Sequence, residues 1–300
     1  MHARLVRYFL ALVQERHFAR AAEACGVSQP TLSAAIRSLE RQIGKQLIIR
    51  DRRFVDLTPE GEAILPWARQ LVAAQEEMIN IAGATRGTLS GEVRLGAIPA
   101  ALPWTGRIGE AILRRQPGLS LGVRSMTSRE IGRALGAFEL DGGLTYLDHE
   151  PPTNVLCIPL YAERYMVLAH RDGPLGRCQS ITIAETAGLP LCLLHQGMQN
   201  RRILDACMAQ HGMALRPTIT ADSYVTLLAM VQTGAYATII PDSYAMLFPR
   251  MDWGVLLPFD EPVPASRIGL VVPDRSPASP LTGALMKAAQ SVSMIEHLYQ

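Results

Sequence analysis

The chain has 300 residues, of which 48% are hydrophobic and 19% charged, with a formal net charge of +2. This balance excludes a disordered chain, because disordered chains combine few apolar residues with a high net charge. The sequence has no uncharged apolar run of about 18 residues, and its first twenty residues lack a signal-peptide core. We therefore expect a cytoplasmic protein that does not span a membrane.

The charge is distributed unevenly along the chain. Residues 1–66 contain ten basic and seven acidic residues, whereas residues 67–300 contain nineteen basic and twenty acidic residues. A locally basic segment joined to a nearly neutral body indicates that the first part binds a polyanion.

The cysteines provide no disulfide or metal pattern. The five are Cys25, Cys157, Cys178, Cys192 and Cys207. An odd number cannot pair completely within the chain, no two form a C-x-x-C motif, and no histidine lies at a metal-like spacing. We expect reduced, mostly buried thiols and no metal site, with a redox-sensing role for Cys192 or Cys207 as an alternative.

The N-terminal segment predicts a helix-turn-helix. Apolar residues recur at helical spacing over residues 18–25, and Gly26 follows them at a position suited to a left-handed turn. Ser28 is placed to cap a second helix, with Pro30 in its first turn. Its predicted apolar stripe consists of Leu32, Ile36, Leu39 and Ile43.

A wing and a long helix are predicted next. Residues 47–57 are typical of a hairpin with a basic tip, and Thr58 is placed to cap a helix with Pro59 at its first position. The apolar stripe of that helix lasts about 20 residues, which indicates pairing with a second copy; packing on its own chain is the alternative. Pro66 is a candidate kink.

After a polar hinge at residues 85–91, strand and helix patterns alternate. The predicted strands are 93–98, 119–123, 143–146, 165–169, 191–194, 237–241 and 268–272, and the predicted helices are 105–115, 128–138, 200–211, 223–233 and 280–298. This alternation predicts an α/β body with mostly parallel sheets.

The head carries a spaced set of residues that resembles the N-terminal signature of LysR-type transcriptional regulators. The matching residues are Ala21-Ala22, Val27 to Ser33, Ile36, Leu39-Glu40, Gly44, Leu47, Arg50, Leu57-Thr58 and Glu60-Gly61. Gln116-Pro117-Gly118, Glu139-Leu140-Asp141 and Gly234 are similar to landmarks of the family's body. The chain also resembles regulators encoded near formate dehydrogenase genes.

The resemblance implies an α/β protein with an all-α winged helix-turn-helix head and a two-lobed effector domain like the periplasmic binding proteins. The implied parts are a DNA-binding domain at 1–58, a linker and dimerisation helix with hinge at 59–89, and an effector domain at 90–300. Lobe I comprises about 90–160 and 267–300, and lobe II about 161–266. The implied assembly is a dimer of dimers, a homotetramer that binds pseudo-palindromic promoter DNA, a small-molecule effector and RNA polymerase.

The resemblance assigns DNA contacts to the second helix and the wing. The residues are Ser28, Gln29, Pro30, Thr31, Ser33, Ala34, Arg37, Arg52 and Arg53. Many family members have a basic residue where this chain has Ala34, so base readout would depend more on Gln29, whose amide can bind adenine in a bidentate manner. Ala34 would contact a thymine methyl group or serve as a neutral surface helix former.

The resemblance also implies an effector cleft between the lobes. Its residues are Pro99, Ala100, Thr127, Ser128, Thr145, His195, Gln196 and Asn200. A helix N-terminus at Thr127 and Ser128 would favour a small anion or carboxylate. Family members that bind aromatic acids often have a hydroxyl where this chain has Pro99 and Ala100, so we expect the other polar residues to hold the ligand.

Simpler roles remain open for some of these side chains. Ser128 and Asn200 could cap their own helices, and His195 could be an ordinary hydrogen-bonded loop residue. Arg201 and Arg202 would form a solvated face, or one of them would turn inward.

Two other functional classes compete with a regulator. A solute receptor would need a signal peptide and no DNA-binding head, and this chain shows the reverse. An α/β enzyme would need a catalytic motif, and we find no G-x-S-x-G, phosphate-binding glycine loop or H-E-x-x-H. We therefore expect no catalytic residue, no cofactor and no enzymatic activity.

Overall fold

The computed structural model describes residues 2–51, 53–84, 89–248 and 251–296. The chain forms two compact units, one containing residues 1–90 with 136–139 and the other containing 91–135 with 140–300. In the described part of the chain, every helix is too short or too polar to cross a membrane.

The N-terminal unit is a bundle of short helices followed by a hairpin and a long helix. Its elements are α1 (Ala3–Glu15), α2 (Phe18–Ala24), α3 (Gln29–Ile43), β1 (Ile48–Asp51), β2 (Arg53–Leu57) and α4 (Pro59–Ala84). Phe9 and Leu12 of α1 pack with Ala22 of α2 and Ile36 of α3 in one buried core. The small Ala22 side chain lets α2 and α3 approach closely.

The predicted turns and caps of this unit are confirmed. Gly26 has a φ of 63°, the left-handed conformation that glycine adopts without strain. The Ser28 hydroxyl accepts a hydrogen bond from the Thr31 amide at 3.3 Å and begins α3. The Thr58 hydroxyl accepts one from the Gly61 amide at 3.0 Å and begins α4.

Helix α4 runs through Pro66 and leaves apolar side chains uncovered. Trp67 is 70% exposed and Met78 is 72% exposed, although Ala68 on the same helix is buried. The face of α4 formed by Trp67, Met78 and Ile79 is therefore uncovered within the described part of a single chain, as the expectation of a dimerisation helix requires.

The second unit consists of two α/β lobes. In chain order its elements are β3 (Gly91–Ala97), α5 (Leu102–Arg115), β4 (Leu119–Ser125), α6 (Ser128–Gly136), β5 (Gly142–Tyr146), β6 (Val155–Glu163), β7 (Tyr165–His170), α7 (Ile183–Ala187), β8 (Cys192–Leu194), α8 (Gln199–Gln210), β9 (Ile219–Ala221), α9 (Tyr224–Gln232), β10 (Thr238–Pro241), β11 (Gly254–Pro258), β12 (Ser266–Pro273) and α10 (Pro280–Glu296), with 3-10 turns at Pro99–Ala101 and Asp242–Leu247.

The sheets contain more antiparallel pairing than the sequence predicts. Lobe I has the strand order β4-β3-β5-β12-β6, in which β3 is parallel to both of its neighbours but β12 is antiparallel to β5 and β6. In lobe II, β7 pairs antiparallel with β10 and β11, while β8 and β9 are parallel. The prediction of mostly parallel sheets is wrong because β6 leads out of lobe I and β12 brings the chain back beside it.

The sequence patterns also miss strands β6, β9 and β11. Strand β6 forms the edge of the lobe I sheet and contains Pro159, which only an edge or irregular strand position accommodates well. Its half-exposed residues follow no strict alternation, so the period-two signal of a buried strand is absent.

Candidate DNA-binding surface and effector cleft

Helix α3 presents the predicted DNA-contacting residues on its outer face. Leu32 and Ile36 are buried in the core, which turns Gln29, Thr31 and Ala34 outward into exposed positions. Ser33 is half-buried. Ser28 is exposed, but its hydroxyl lies 2.8 Å from the Thr31 hydroxyl and also caps α3, so a phosphate would compete with these contacts.

A buried glutamate fixes the start of the wing. The Glu40 carboxylate accepts hydrogen bonds from the Leu47 amide at 3.0 Å and the Ile48 amide at 3.3 Å. Charged side chains are rarely buried without such partners. Sequence reasoning assigned Glu40 no contact, although its position beside Leu39 on the apolar stripe of α3 was a signal for burial.

A basic concavity lies along the second half of α3 and the turn that follows it. The Arg37, Arg41 and Lys45 side chains line this open concavity of about 960 Å³, together with Ala34. Among the described residues, Arg37 and Arg41 form no salt bridge, so their guanidinium groups are available to phosphates. Arg52 lies outside the described residues, and Arg53 begins strand β2.

In the second unit, a small cavity of about 10 Å³ marks the predicted effector cleft. The residues that line it are Ile98, Pro99, Ala100, Thr127, Ser128, Tyr146, Leu194, Met198, Gln199 and Asn200. A cavity of this size has room for about one water molecule. Five of the eight residues assigned to the cleft line it: Pro99, Ala100, Thr127, Ser128 and Asn200.

The other three assigned residues lie elsewhere. His195 and Gln196 are exposed, and the Nδ1 atom of His195 accepts a hydrogen bond from the Gly197 amide at 3.0 Å. This contact matches the alternative of an ordinary loop histidine. Thr145 is fully buried within β5, and its hydroxyl has no hydrogen-bond partner among the described residues. The loop after β8 turns His195 and Gln196 toward solvent, so sequence proximity to Asn200 did not bring them to the cavity.

The N-terminus of α6 is capped by Thr127. The Thr127 hydroxyl accepts a hydrogen bond from the Glu130 amide at 3.3 Å, and the Glu130 carboxylate accepts one from the Thr127 amide at 2.8 Å. These contacts lower the pKa of Glu130. The helix terminus thus already holds a carboxylate from its own chain, and the alternative in which Ser128 acts as the cap is wrong.

Ser128 therefore keeps a free hydroxyl in the cavity wall. Its Oγ atom is buried and has no partner in the described part of the chain, and the same is true of the Gln199 Oε1 atom. Buried polar atoms are normally hydrogen-bonded. The two atoms are candidate contacts for a bound molecule.

A buried glutamate lies behind the cavity, at the end of β6. The Tyr146 hydroxyl donates to the Glu163 Oε1 atom at 2.7 Å, and the Asn200 amide donates to the Tyr146 hydroxyl at 2.7 Å and to the Tyr165 hydroxyl at 3.2 Å. Asn200 thus joins this cluster rather than capping α8. We call Tyr146, Glu163, Tyr165 and Asn200 the glutamate cluster.

The surroundings of Glu163 within the glutamate cluster favour the protonated, neutral form of its carboxyl group. Burial, assisted by the negative charge of Asp242, raises the pKa of Glu163 to about 8, although the hydrogen bond from Tyr146 lowers it. Burial also raises the pKa of Tyr146 well above its usual range. Sequence reasoning missed Glu163 and its tyrosines, because the residues come from separate strands and helices and no local pattern marks a buried carboxyl group.

One of the two arginines near the start of α8 points into the protein. Arg201 is 3% exposed, pairs with Asp205 at 2.8 Å and donates to the Leu194 carbonyl at 2.9 Å. The alternative of an inward arginine is confirmed for Arg201. Arg202 is half-buried and lies 3.4 Å from the Glu150 carboxylate.

The five cysteines are all free, but only Cys192 and Cys207 are buried, so the prediction of mostly buried thiols is wrong. Burial raises the pKa of Cys192 to about 11 and also raises that of Cys207. Reactive cysteines have lowered thiol pKa values, so neither environment promotes a thiolate. Within the described ranges, no group of His, Cys, Asp and Glu side chains could hold a metal ion.

Comparisons with known proteins match both units. Residues 3–62 match the helix-turn-helix model of the bacterial lysR regulatory family, and residues 86–293 match the LysR substrate binding domain. A relative from Mycobacterium avium described as a probable hydrogen peroxide-inducible genes activator is 34% identical over 268 residues, which cover 89% of this chain and 86% of the relative.

Two solved structures share the fold. A cysteine-to-aspartate variant of full-length OxyR from Pseudomonas aeruginosa has a TM-score of 0.76 at 27% identity, and the match covers 97% of this chain and 94% of that one. Full-length CbnR in complex with its target DNA has a TM-score of 0.73 at 20% identity, and the match covers 97% of this chain and 100% of that one. Because the family models match both units, the chain belongs to the LysR family and is a DNA-binding transcriptional regulator.

Proposed function

We propose that a small-molecule effector binds in the cavity between the two lobes and alters the bending and transcription of bound DNA. The observation that carries the proposal is the buried Ser128 hydroxyl, which has no hydrogen-bond partner among the described residues. It lies in a cavity wall that also contains the side-chain carbonyl of Gln199. The wall combines α6 of lobe I with α8 of lobe II, so a bound molecule would contact both lobes. A ligand that contacts one arrangement of the lobes better than another shifts their equilibrium.

The effector we propose is a small anion or carboxylate. The Thr127 amide is already occupied by Glu130, so the hydrogen-bond donors must come from Ser128 and from the glutamate cluster. With a pKa of about 8, Glu163 is a neutral acid at pH 7 and adds no negative charge that would repel an anion. The cavity of about 10 Å³ requires a very small ligand or a separation of the lobes.

Thermal unfolding in the presence of small ligands tests this function. Formate and acetate should raise the Tm of the full chain, and formamide and acetamide should raise it less. Ser128→Ala should reduce the shift, whereas the exposed surface variant Glu92→Gln should leave it unchanged. Stabilisation by neutral or cationic compounds alone would contradict an anionic effector.

Thiol-based redox sensing is the second candidate, favoured by the description of the Mycobacterium avium relative as a peroxide-inducible activator. In this chain, burial raises the pKa of Cys192 and Cys207, which disfavours reaction with peroxide. Mass spectrometry after peroxide treatment decides between the candidates. A peroxide-dependent disulfide or sulfenic acid that changes DNA binding, and is lost in Cys207→Ser, would establish the redox function.

Family membership also supports proposals about the location, the assembly and the partners of the protein. We propose a cytoplasmic homotetramer that recruits RNA polymerase and binds pseudo-palindromic promoter sites through two heads. The link to formate dehydrogenase genes stays a prediction, which a gel shift with DNA upstream of such genes would test. The alternative of a solute receptor is set aside, because the head matches the family's DNA-binding model.

A further inference from the structure

The glutamate cluster joins the two lobes around one buried carboxyl group. Tyr146 belongs to β5 of lobe I, whereas Tyr165 and Asn200 belong to β7 and α8 of lobe II. Glu163 lies at the end of β6, where the chain passes from lobe I to lobe II, and its side chain is fully buried. The two lobes therefore meet at a group that can gain or lose a proton.

Within the described ranges, no cation pairs with the Glu163 carboxyl group. Its Oε1 atom accepts hydrogen bonds from the Tyr146 hydroxyl at 2.7 Å and the Asn200 amide at 3.3 Å, while its buried Oε2 atom has no partner among the described residues. Arg201, which follows Asn200 in α8, pairs with Asp205 instead. A buried carboxylate without a cation is costly in free energy, so the group either keeps a proton or must be reached by water.

The groups that surround the glutamate cluster do not supply a positive charge to Glu163. Those that interact with it electrostatically are Tyr161, Tyr224, Asp242 and Tyr244. Burial raises the pKa of each of these tyrosines, so they stay neutral, and Asp242 is the one acid among the four. Asp242 accepts a hydrogen bond from the Arg164 amide at 3.2 Å, but the Arg164 side chain is exposed to solvent.

Two more hydrogen bonds connect the lobes. The Ser243 hydroxyl donates to the Ala100 carbonyl at 3.2 Å, and the Tyr244 hydroxyl donates to the Pro99 carbonyl at 2.8 Å. Both donors belong to the 3-10 turn of lobe II that begins at Asp242, and both acceptors belong to lobe I. Together with the contact of Asn200 and Tyr146, these bonds define the closed arrangement of the lobes.

We infer that Glu163 is a proton-operated switch between this closed arrangement and a more open one. The protonated carboxyl group is neutral and stays buried between the lobes. When its proton leaves to solvent, the buried carboxylate favours separation of the lobes, because water can then solvate it. The inference goes beyond the proposed function, since the switch operates without an effector, and the pH would set how readily the effector cavity opens.

The direction of the pH effect follows from proton binding in the two arrangements. In the closed arrangement, burial raises the pKa of Glu163 to about 8, whereas a carboxyl group reached by water in the open arrangement has the ordinary value of 4.5. The closed form therefore binds more protons between these pH values. The ratio of open to closed molecules should rise with pH by at most about tenfold per unit and become constant above pH 8.

Single-molecule energy transfer between dyes on the two lobes measures this ratio without any ligand. Dyes insensitive to pH are attached through unnatural amino acids at the exposed positions of Lys287 in lobe I and Arg177 in lobe II. Labelled full-length chains are diluted into excess unlabelled chain, so that each assembly contains one labelled subunit. From pH 5.5 to 7.5 the ratio should rise about tenfold to 100-fold. It should stay constant in Glu163→Gln, and the surface variant Glu92→Gln should match the wild type.

Two further variants test the switch without changing Glu163. Asp242→Asn removes the negative charge that raises the pKa of Glu163, so the ratio should stop rising at a lower pH than in the wild type. Tyr146→Phe removes a hydrogen bond that favours the ionised carboxylate, so the rise should continue to a higher pH. A purely structural role of these residues would not move the transition in opposite directions.

Three results would overturn the switch. The first is a lobe separation in the wild type that does not change with pH, and the second is a pH dependence that Glu163→Gln retains. The third is a shift of the transition in the same direction for Asp242→Asn and Tyr146→Phe. Because no ligand is present, each of these results would leave the proposed effector function untouched, whereas a failure of small anions to raise the Tm would leave the switch untouched.

Discussion

Gln29 lies exposed in the first turn of α3, and its amide can both donate and accept toward a single adenine. Arg37, two turns later, is expected to contact the DNA backbone, and a phosphate contact carries no sequence information. We therefore expect Gln29 to contribute sequence specificity and Arg37 to contribute general affinity for DNA.

Replacing Gln29 with Ala should relax specificity by about 1–3 kcal/mol at one base pair. Competition gel shifts with operator and random DNA measure this difference. Arg37→Ala serves as the matched control, because loss of a phosphate contact should weaken binding to both DNAs alike. Equal losses on the two DNAs for Gln29→Ala would contradict base readout by this residue.

Glu163 should make stability depend on pH. The folded protein retains its proton up to about pH 8, whereas the ordinary value for glutamate is 4.5, so the folded state binds more protons between these pH values. Stability should therefore fall as the pH rises from about 4.5 to 8, by roughly 1.4 kcal/mol per unit at most, and this contribution becomes constant above pH 8.

Glu163→Gln should remove this slope, because the amide oxygen can still accept from Tyr146 but carries no proton to lose. Urea unfolding at pH 5, 6.5 and 8 should find the variant increasingly more stable than the wild type as the pH rises. The surface variant Glu92→Gln should show the same pH dependence of stability as the wild type. Parallel curves for the wild type and Glu163→Gln would show that Glu163 ionises normally in the folded protein.

At the scale of elements, the wing is positioned by α3. The Glu40 carboxylate accepts hydrogen bonds from the amides at the start of the hairpin, so the hairpin is attached directly to α3. In sequence, the basic residues at positions 52 and 53 come directly after β1.

Arg52→Ala and Arg53→Ala should each weaken binding to all DNA sequences. Each lost phosphate contact should reduce the slope of log K against log salt by about 1, because one fewer counterion is released. Fluorescence anisotropy over a series of salt concentrations measures the slope. An unchanged slope in both variants would refute contact between the wing and the DNA backbone.

At the scale of the whole molecule, α4 carries the most exposed apolar side chains described in the N-terminal unit. Met78 and Ile79 are 72% and 61% exposed, and burying such a side chain contributes about 1.5–3 kcal/mol. A second copy of α4 would cover them and bring two basic heads onto one DNA duplex, which matches the pseudo-palindromic sites expected for dimers.

The double variant Met78→Glu, Ile79→Glu should weaken self-association at least about tenfold, because each charge would enter an apolar interface. Light scattering coupled to size-exclusion chromatography measures the mass against the 32.8 kDa of one chain. Glu76→Gln, an exposed change on the same helix, is the control. An unchanged mass for the double variant would place the dimer interface elsewhere.

The sequence by itself determined the head and much of the order of elements. Ser28, Gly26 and Thr58 predict their caps and turns because capping depends on residues that are neighbours in the chain. The spaced signature of α3 likewise identified the family and the outward-facing residues, since a helix with a buried stripe leaves the opposite face to solvent.

Only the tertiary structure decided the pairing direction of β12, the contents of the effector cavity and the state of Glu163. These features depend on residues far apart in sequence, such as Tyr146, Glu163 and Asn200, which meet only when the lobes are assembled. A carboxyl group takes its pKa from the surrounding atoms rather than from its chain neighbours. The direction of a loop side chain likewise depends on tertiary contacts, so the sequence assigned His195 to a cleft that its side chain does not reach.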